Sequence, residues 1–118
     1  MNQSTKQINL QFTITGSTPA ETVFPSINTD GSQLLTLQIN YSAINAADCK
    51  LVFEQSLDNT AFSSISDISG NPLSVYLSTT DTVLTVNISG LNTVYFRLKL
   101  IRNTCTAGTI NNIIYLAN

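Results

Sequence analysis

The stretch from Val94 to Ile101 constrains this chain more than any other, because Val94, Phe96, Leu98 and Leu100 alternate with Tyr95, Arg97, Lys99 and Ile101. A period of two sends successive side chains to opposite faces of a pleated strand, and no helix buries such a pattern on one side. The same alternation runs through Ile8, Leu10, Phe12 and Ile14, and again through Leu35, Leu37, Ile39 and Tyr41. Shorter apolar pieces lie at Glu21 to Phe24, Cys49 to Glu54, Phe62 to Ile65, Leu73 to Leu77, Leu84 to Ile88 and Ile110 to Leu116. Turn formers such as Asp30-Gly31, Gly70-Asn71-Pro72 and Ser89-Gly90 separate them, and Ala43 to Ala47 reads as an irregular connection. Apolar residues nowhere recur at i, i+3, i+4 and i+7 over a helical length. Roughly seven to nine strands in one stretch of this length predict an antiparallel β-sandwich. The expectation is an all-β fold of Ig-like or jelly-roll order, almost without helix, in one domain spanning 1–118.

Composition says what such a sandwich presents to its surroundings. Only 10% of residues are charged, whereas Ser, Thr and Asn together number 42 of 118. Neutral hydrogen-bonding groups have replaced the charges of an ordinary surface, which run to about 25%. A net charge of -2 and a pI near 4.6 give no broad basic field, so no nucleic-acid partner is expected. No apolar run is long enough for a membrane helix, and no membrane partner is expected. The segment Met1 to Lys6 is polar and lacks the apolar stretch of a signal peptide, which points to assembly in a reducing cytoplasm.

The chain has no His, which removes the usual general base and the usual Ser-His-Asp and Cys-His constellations. Two Cys cannot supply a zinc site, and the isolated glycines form no phosphate loop. Asp30, Asp58, Asp67 and Asp81 read as turn residues that satisfy backbone N–H groups. The chain is therefore read as no enzyme, with no cofactor and no metal.

Cys49 opens one strand and Cys105 follows the end of another, so antiparallel neighbours would bring them near bridging distance; two unrelated buried thiols is the favoured reading. Val52, Val83, Tyr95, Ile101, Ile113 and Tyr115 fall on the opposite register from the core residues of their own strands. Contiguous apolar surface marks a partner. Val83, Tyr95, Ile101, Ile113 and Tyr115 are thus the interface candidates, with Arg97 and Lys99 beside them for polar selectivity. Glu54 is the expected partner of these cations.

The segment Leu51 to Ile65 (LVFEQSLDNTAFSSI) resembles the S-x-D-x-x-x-F/W-x-x-I strand–turn–strand of small β-sandwich modules in tailed-bacteriophage virions. Leu91 to Leu98 (LNTVYFRL) is similar to their penultimate strand, and Thr106 to Ile110 (TAGTI) to their last turn. The Asn- and Ile-rich composition resembles that of crAss-like phages, whose heads bear auxiliary capsid proteins. The resemblance implies a virion structural protein that packs against capsid or fibre subunits, as a homo-oligomer or bound to the capsid. Its alternative is a host-attachment module that binds glycans through Phe62 or Tyr76, with Asp58 and Asn59 bonding sugar hydroxyls.

Overall fold

The computed structural model describes residues 6–8, 11–24, 26–29, 34–66, 69–88 and 94–117. The turns expected at Asp30-Gly31, Asp67 and Ser89-Gly90, and the inward position expected for Leu10, lie outside the described residues. Among the described residues eleven strands form: β1 (Lys6–Ile8), β2 (Phe12–Ile14), β3 (Ala20–Thr22), β4 (Ile27–Asn28), β5 (Leu35–Ser42) and β6 (Lys50–Ser56). They continue with β7 (Ser63–Ser64), β8 (Ser74–Tyr76), β9 (Val83–Ile88), β10 (Tyr95–Ile101) and β11 (Gly108–Ala117). Every pairing is antiparallel.

The first sheet runs β1-β11-β5-β9, with β2 also on β11. The second runs β3-β10-β6-β7, with β4 also on β10 and β8 also on β6. The strand count exceeds the expected range because three lateral positions are each split into two pieces. Eleven strands less three leaves eight positions, ordered 1-8-3-6 in one sheet and 2-7-4-5 in the other. That order is a jelly roll, the double-sheet form of eight strands. It decides between the two topologies that periodicity left open.

One apolar cluster fills the space between the sheets. Leu37, Ile39, Ile110 and Ile113 of the first sheet meet Leu51, Phe53, Phe96, Leu98 and Leu100 of the second. Phe53 and Phe96 stack at 5.9 Å between ring centroids, a separation at which aromatic pairs attract beyond simple burial. Gly108 lets β11 start tight against the β5–β6 connection, since a Cβ there would come within 2.5 Å of Ile44 Cδ1.

The long strand β11 corrects the reading of the last segment. Its register on β5 shifts between Ile110 and Asn112, so Asn111 is an extra residue. A bulge of this kind flips every later side chain to the other face. Ile110 and Ile113 therefore both point inward, and Ile113 is only 1% exposed. Ile113 is a core residue and leaves the set of interface candidates. Tyr115 also turns inward, half-buried against the core. Its neighbours Ile114 and Leu116 take the outer face, opposite Gln38 and Thr36.

Candidate functional site

The two outer faces of the sandwich differ in chemistry. On the first sheet, β5, β9 and β11 hold no Asp, Glu, Lys or Arg. Their outward Thr, Gln and Asn side chains bond one another: Thr36 donates to Asn87 at 3.0 Å, Gln38 to Asn40 at 3.3 Å, and Asn40 to Asn112. A polar group satisfied by its neighbour offers little to a partner.

On the second sheet the outward residues of β10 are Tyr95, Arg97, Lys99 and Ile101, because Phe96, Leu98 and Leu100 fill the core. The register then fixes what flanks them. Ile101 lies opposite Lys50 and Ala20, Lys99 opposite Val52 and Thr22, Arg97 opposite Glu54, and Tyr95 opposite Ser56 and Asn28. Lys50 in turn faces Tyr76. Among the described residues, three of the chain's five cations thus share one face with a single acid, Glu54.

Arg97 and Glu54 meet at 2.7 Å, as the sequence led one to expect, with Arg97 lying 3.9 Å from the Phe62 ring centroid. The arginine is held between a carboxylate and an aromatic ring, which fixes its direction. Lys50 sits 6.0 Å from the ring centroid of Tyr76, a residue 60% exposed. Among the described residues neither Lys50 nor Lys99 has a salt-bridge partner. Tyr95, Arg97, Lys99 and Ile101 come together here as a half-buried row. Val83, 50% exposed, lies on the other sheet and does not join them; Tyr115 and Ile113 face inward. Lys50 was missed as a member although it shares the outward face of its strand with Glu54, the residue that the sequence did place beside Arg97; the same pairing was the available signal.

The four glycan candidates separate. Asp58 is committed to its own turn, where its carboxylate accepts from Thr60 N at 2.8 Å, Ala61 N at 2.9 Å and Ser56 Oγ at 2.9 Å. These bonds hold the Asp58 carboxyl below the usual carboxylate range. Asn59 takes a left-handed φ of 61° and accepts from Ser26. Phe62 lies under Arg97, beside the Glu54 end of β6. Tyr76 pairs at the Lys50 end, four residues away, or about 13 Å along a strand. No single sugar subsite gathers all four.

One end of the sandwich is tied by buried polar groups that patterning did not reveal. The Arg102 side chain is 1% exposed. Its guanidinium donates to Thr15 O, Gly16 O, Thr18 O, Cys105 O and the Glu21 carboxylate, at 2.7–3.0 Å. All five of its donors are thereby used, so Arg102 does not belong to a surface patch with Arg97 and Lys99. Asp48 accepts from Thr104 N, Thr104 Oγ1 and Cys105 N, and the two Thr104 bonds lead in lowering its pKa. Inside this clamp Cys49 and Cys105 are buried free thiols in contact with each other. Burial, and then its bond to Cys105, push the Cys49 thiol up to about 12, which leaves it protonated and unreactive.

Among the described residues no three His, Cys, Asp or Glu side chains cluster as a metal site. The gap within the core, among Phe24, Leu37, Phe96 and Ile113, measures about 10 Å³, far below the 300 Å³ or so of a small-molecule pocket. Larger hollows open at the surface, about 350 Å³ beside Ser56, Asp58 and Ser63 and about 180 Å³ beside Thr36, Thr85 and Ile114.

No protein-family profile and no curated protein matches this chain. Solved structures do match in fold. A Bacillus endospore appendage, from a family of disulfide-linked pili, superposes with a TM-score of 0.55 at 7% identity, over 100% of this chain and 91% of its own. The SPBc2 prophage-derived protein YomS gives 0.52 at 10% identity, over 99% and 98%. The VP2 subviral particle of infectious bursal disease virus gives 0.55 at 10% identity, over 98% of this chain and 33% of the VP2 chain. The sandwich is thus shared with prophage-derived and viral structural proteins.

Proposed function

We propose that this chain is a non-enzymatic structural subunit of a tailed-bacteriophage virion, an auxiliary or decorating capsid protein of the crAss-like type. It acts by packing a rigid jelly roll against other virion subunits. The observation that carries this reading is the outer face of the second sheet. A chain with few charges and a net charge of -2 places Lys50, Arg97 and Lys99 there beside Phe62, Tyr76 and Tyr95. Aromatic and arginine side chains of that kind anchor protein interfaces. The two lysines favour a partner surface rich in Asp and Glu. The fold shared with YomS and VP2 supports the same reading, as does the sequence resemblance to phage sandwich modules.

The direct test is proteomics of purified particles. The chain is expected at a fixed copy number relative to the major capsid subunit. Its absence from washed particles would overturn the assignment. Glycan binding remains the second reading because of the exposed Tyr76 ring beside Lys50. Binding of acidic oligosaccharides that is lost in Tyr76→Ala would favour it over capsid docking.

A further inference from the structure

Sheet edges carry unpaired backbone donors and acceptors, and folds blunt them by shortening or charging the edge strand. Three of the four edges here are blunted by splitting. The β1/β2 edge is two pieces of three residues, one bearing Lys6; β3/β4 is pieces of three and two with Glu21; β7/β8 is pieces of two and three with Pro72 between them. The fourth edge, β9, is different. Its six residues, VLTVNI, pair with β5 in one unbroken register, and it contains no charge and no proline. Among the described residues β5 is its one strand neighbour.

The direction of its free groups follows from the ladder. Tyr41 N donates to Thr82 O at 2.9 Å, and antiparallel pairs alternate between bonded and non-bonded. The bonded positions toward β5 are then Leu84, Val86 and Ile88. The N–H and C=O groups of Val83, Thr85 and Asn87 point away from β5, as three donors and three acceptors centred on Thr85.

We infer that β9 joins two copies of this chain, edge to edge and antiparallel, about a two-fold axis at Thr85. An identical strand run antiparallel to it pairs every one of these donors and acceptors, and the two copies need no second surface. With Thr85 on the axis, Thr85 bonds the partner subunit's Thr85, and Val83 bonds the partner subunit's Asn87. Both bonded pairs then keep outward residues opposite outward ones, and Leu84 meets the partner subunit's Val86 on the inner side. A two-fold contact uses one patch twice, and neither β9 nor β5 carries a charge to repel its copy. A junction of two strands lies at the small end of interface sizes, below about 1,200 Å², so the pairing is reversible and fills as local concentration rises. This inference stands apart from the virion reading.

Thr85→Cys tests the axis. A bonded antiparallel pair has Cα atoms about 5.5 Å apart, within disulfide range. Oxidised glutathione converts the two new thiols to one intermolecular disulfide, becoming two reduced glutathiones as it accepts two electrons and two protons. A covalent dimer is expected from Thr85→Cys, and none from wild type or from Ser74→Cys on the other sheet. Sedimentation of the wild-type chain is expected to show a monomer–dimer equilibrium, abolished in Thr85→Lys, which places two like charges on the axis. A wild type that stays monomeric at millimolar concentration, a dimer that persists in Thr85→Lys, or equal cross-linking of Ser74→Cys would each overturn the inference.

Discussion

Arg97 and Arg102 lie five residues apart, one within β10 and one just beyond its end, and they do opposite work. Arg102 faces into the clamped end of the sandwich, where four carbonyl oxygens and Glu21 exhaust its donors. Arg97 lies on the outer face of the second sheet, held by Glu54 and Phe62 with part of its guanidinium open to solvent. A buried cation is tolerated only when its surroundings satisfy it. The clamped end therefore uses charge to hold the fold together, whereas the face leaves Lys50 and Lys99 without an acidic partner among the described residues. Stability and docking should accordingly respond to different residues.

The largest effect is expected from Arg102→Met, which keeps the length and removes every donor. It leaves the carbonyls of two connections, β2–β3 and β10–β11, and Glu21 without their partner, a loss of about 3–5 kcal/mol in chemical denaturation. A loss under about 1 kcal/mol would break the contrast between the two arginines. Arg97→Met strands one mostly buried carboxylate and is expected to cost less, about 1–3 kcal/mol. Arg97→Lys should recover part of it, though without the flat stacking on Phe62.

Acid should loosen the turns that Asp48 and Asp58 hold at the two ends of β6. The Asp48 and Asp58 carboxyls are lowered in the folded chain from 3.8. A lowered carboxylate adds stability above its unfolded value, and the contribution fades as pH falls through the folded one. Urea midpoints should stay level from neutral pH down to about 5 and decline below about 4. In Asp48→Asn the decline should be shallower; an unchanged slope would remove Asp48 from the clamp. Smallest of all is the expected effect of Lys99→Glu on stability, within about 0.5 kcal/mol, because Lys99 has no acidic partner among the described residues to lose.

The sequence made the sandwich legible because alternation in β5 and β10 is strict, and both strands lie in the interior of their sheets. It also led to the Arg97–Glu54 pair, since both residues sit on outward positions of neighbouring strands. Ile113 and Tyr115 were misplaced for a local reason. Alternation can be phased from one anchor only while no residue is inserted, and Asn111 is inserted. The split of Ile8 to Ile14 into β1 and β2 escaped for a related reason, since both pieces lie on the strand that bulges. Arg102 reads from the sequence as a third cation grouped with Arg97 and Lys99 at one strand's end, and its buried role was hidden: most of its acceptors are backbone oxygens, which every residue carries, and they arrive from Thr15, Gly16, Thr18 and Cys105. The jelly-roll order was equally hidden, because alternation records a residue's face and is silent about which strand lies beside which.

The proposed docking onto a particle runs through the cationic, aromatic face of the second sheet. Mass spectrometry of purified particles, counting copies of wild type against a Lys50→Glu/Lys99→Glu variant, tests it most directly. Wild type is expected to be retained through washing, and the variant, though folded as judged by circular dichroism, to be lost at least tenfold, or about 1.4 kcal/mol of docking per tenfold loss. Equal copy numbers for the two, or no copies of either, would contradict this docking.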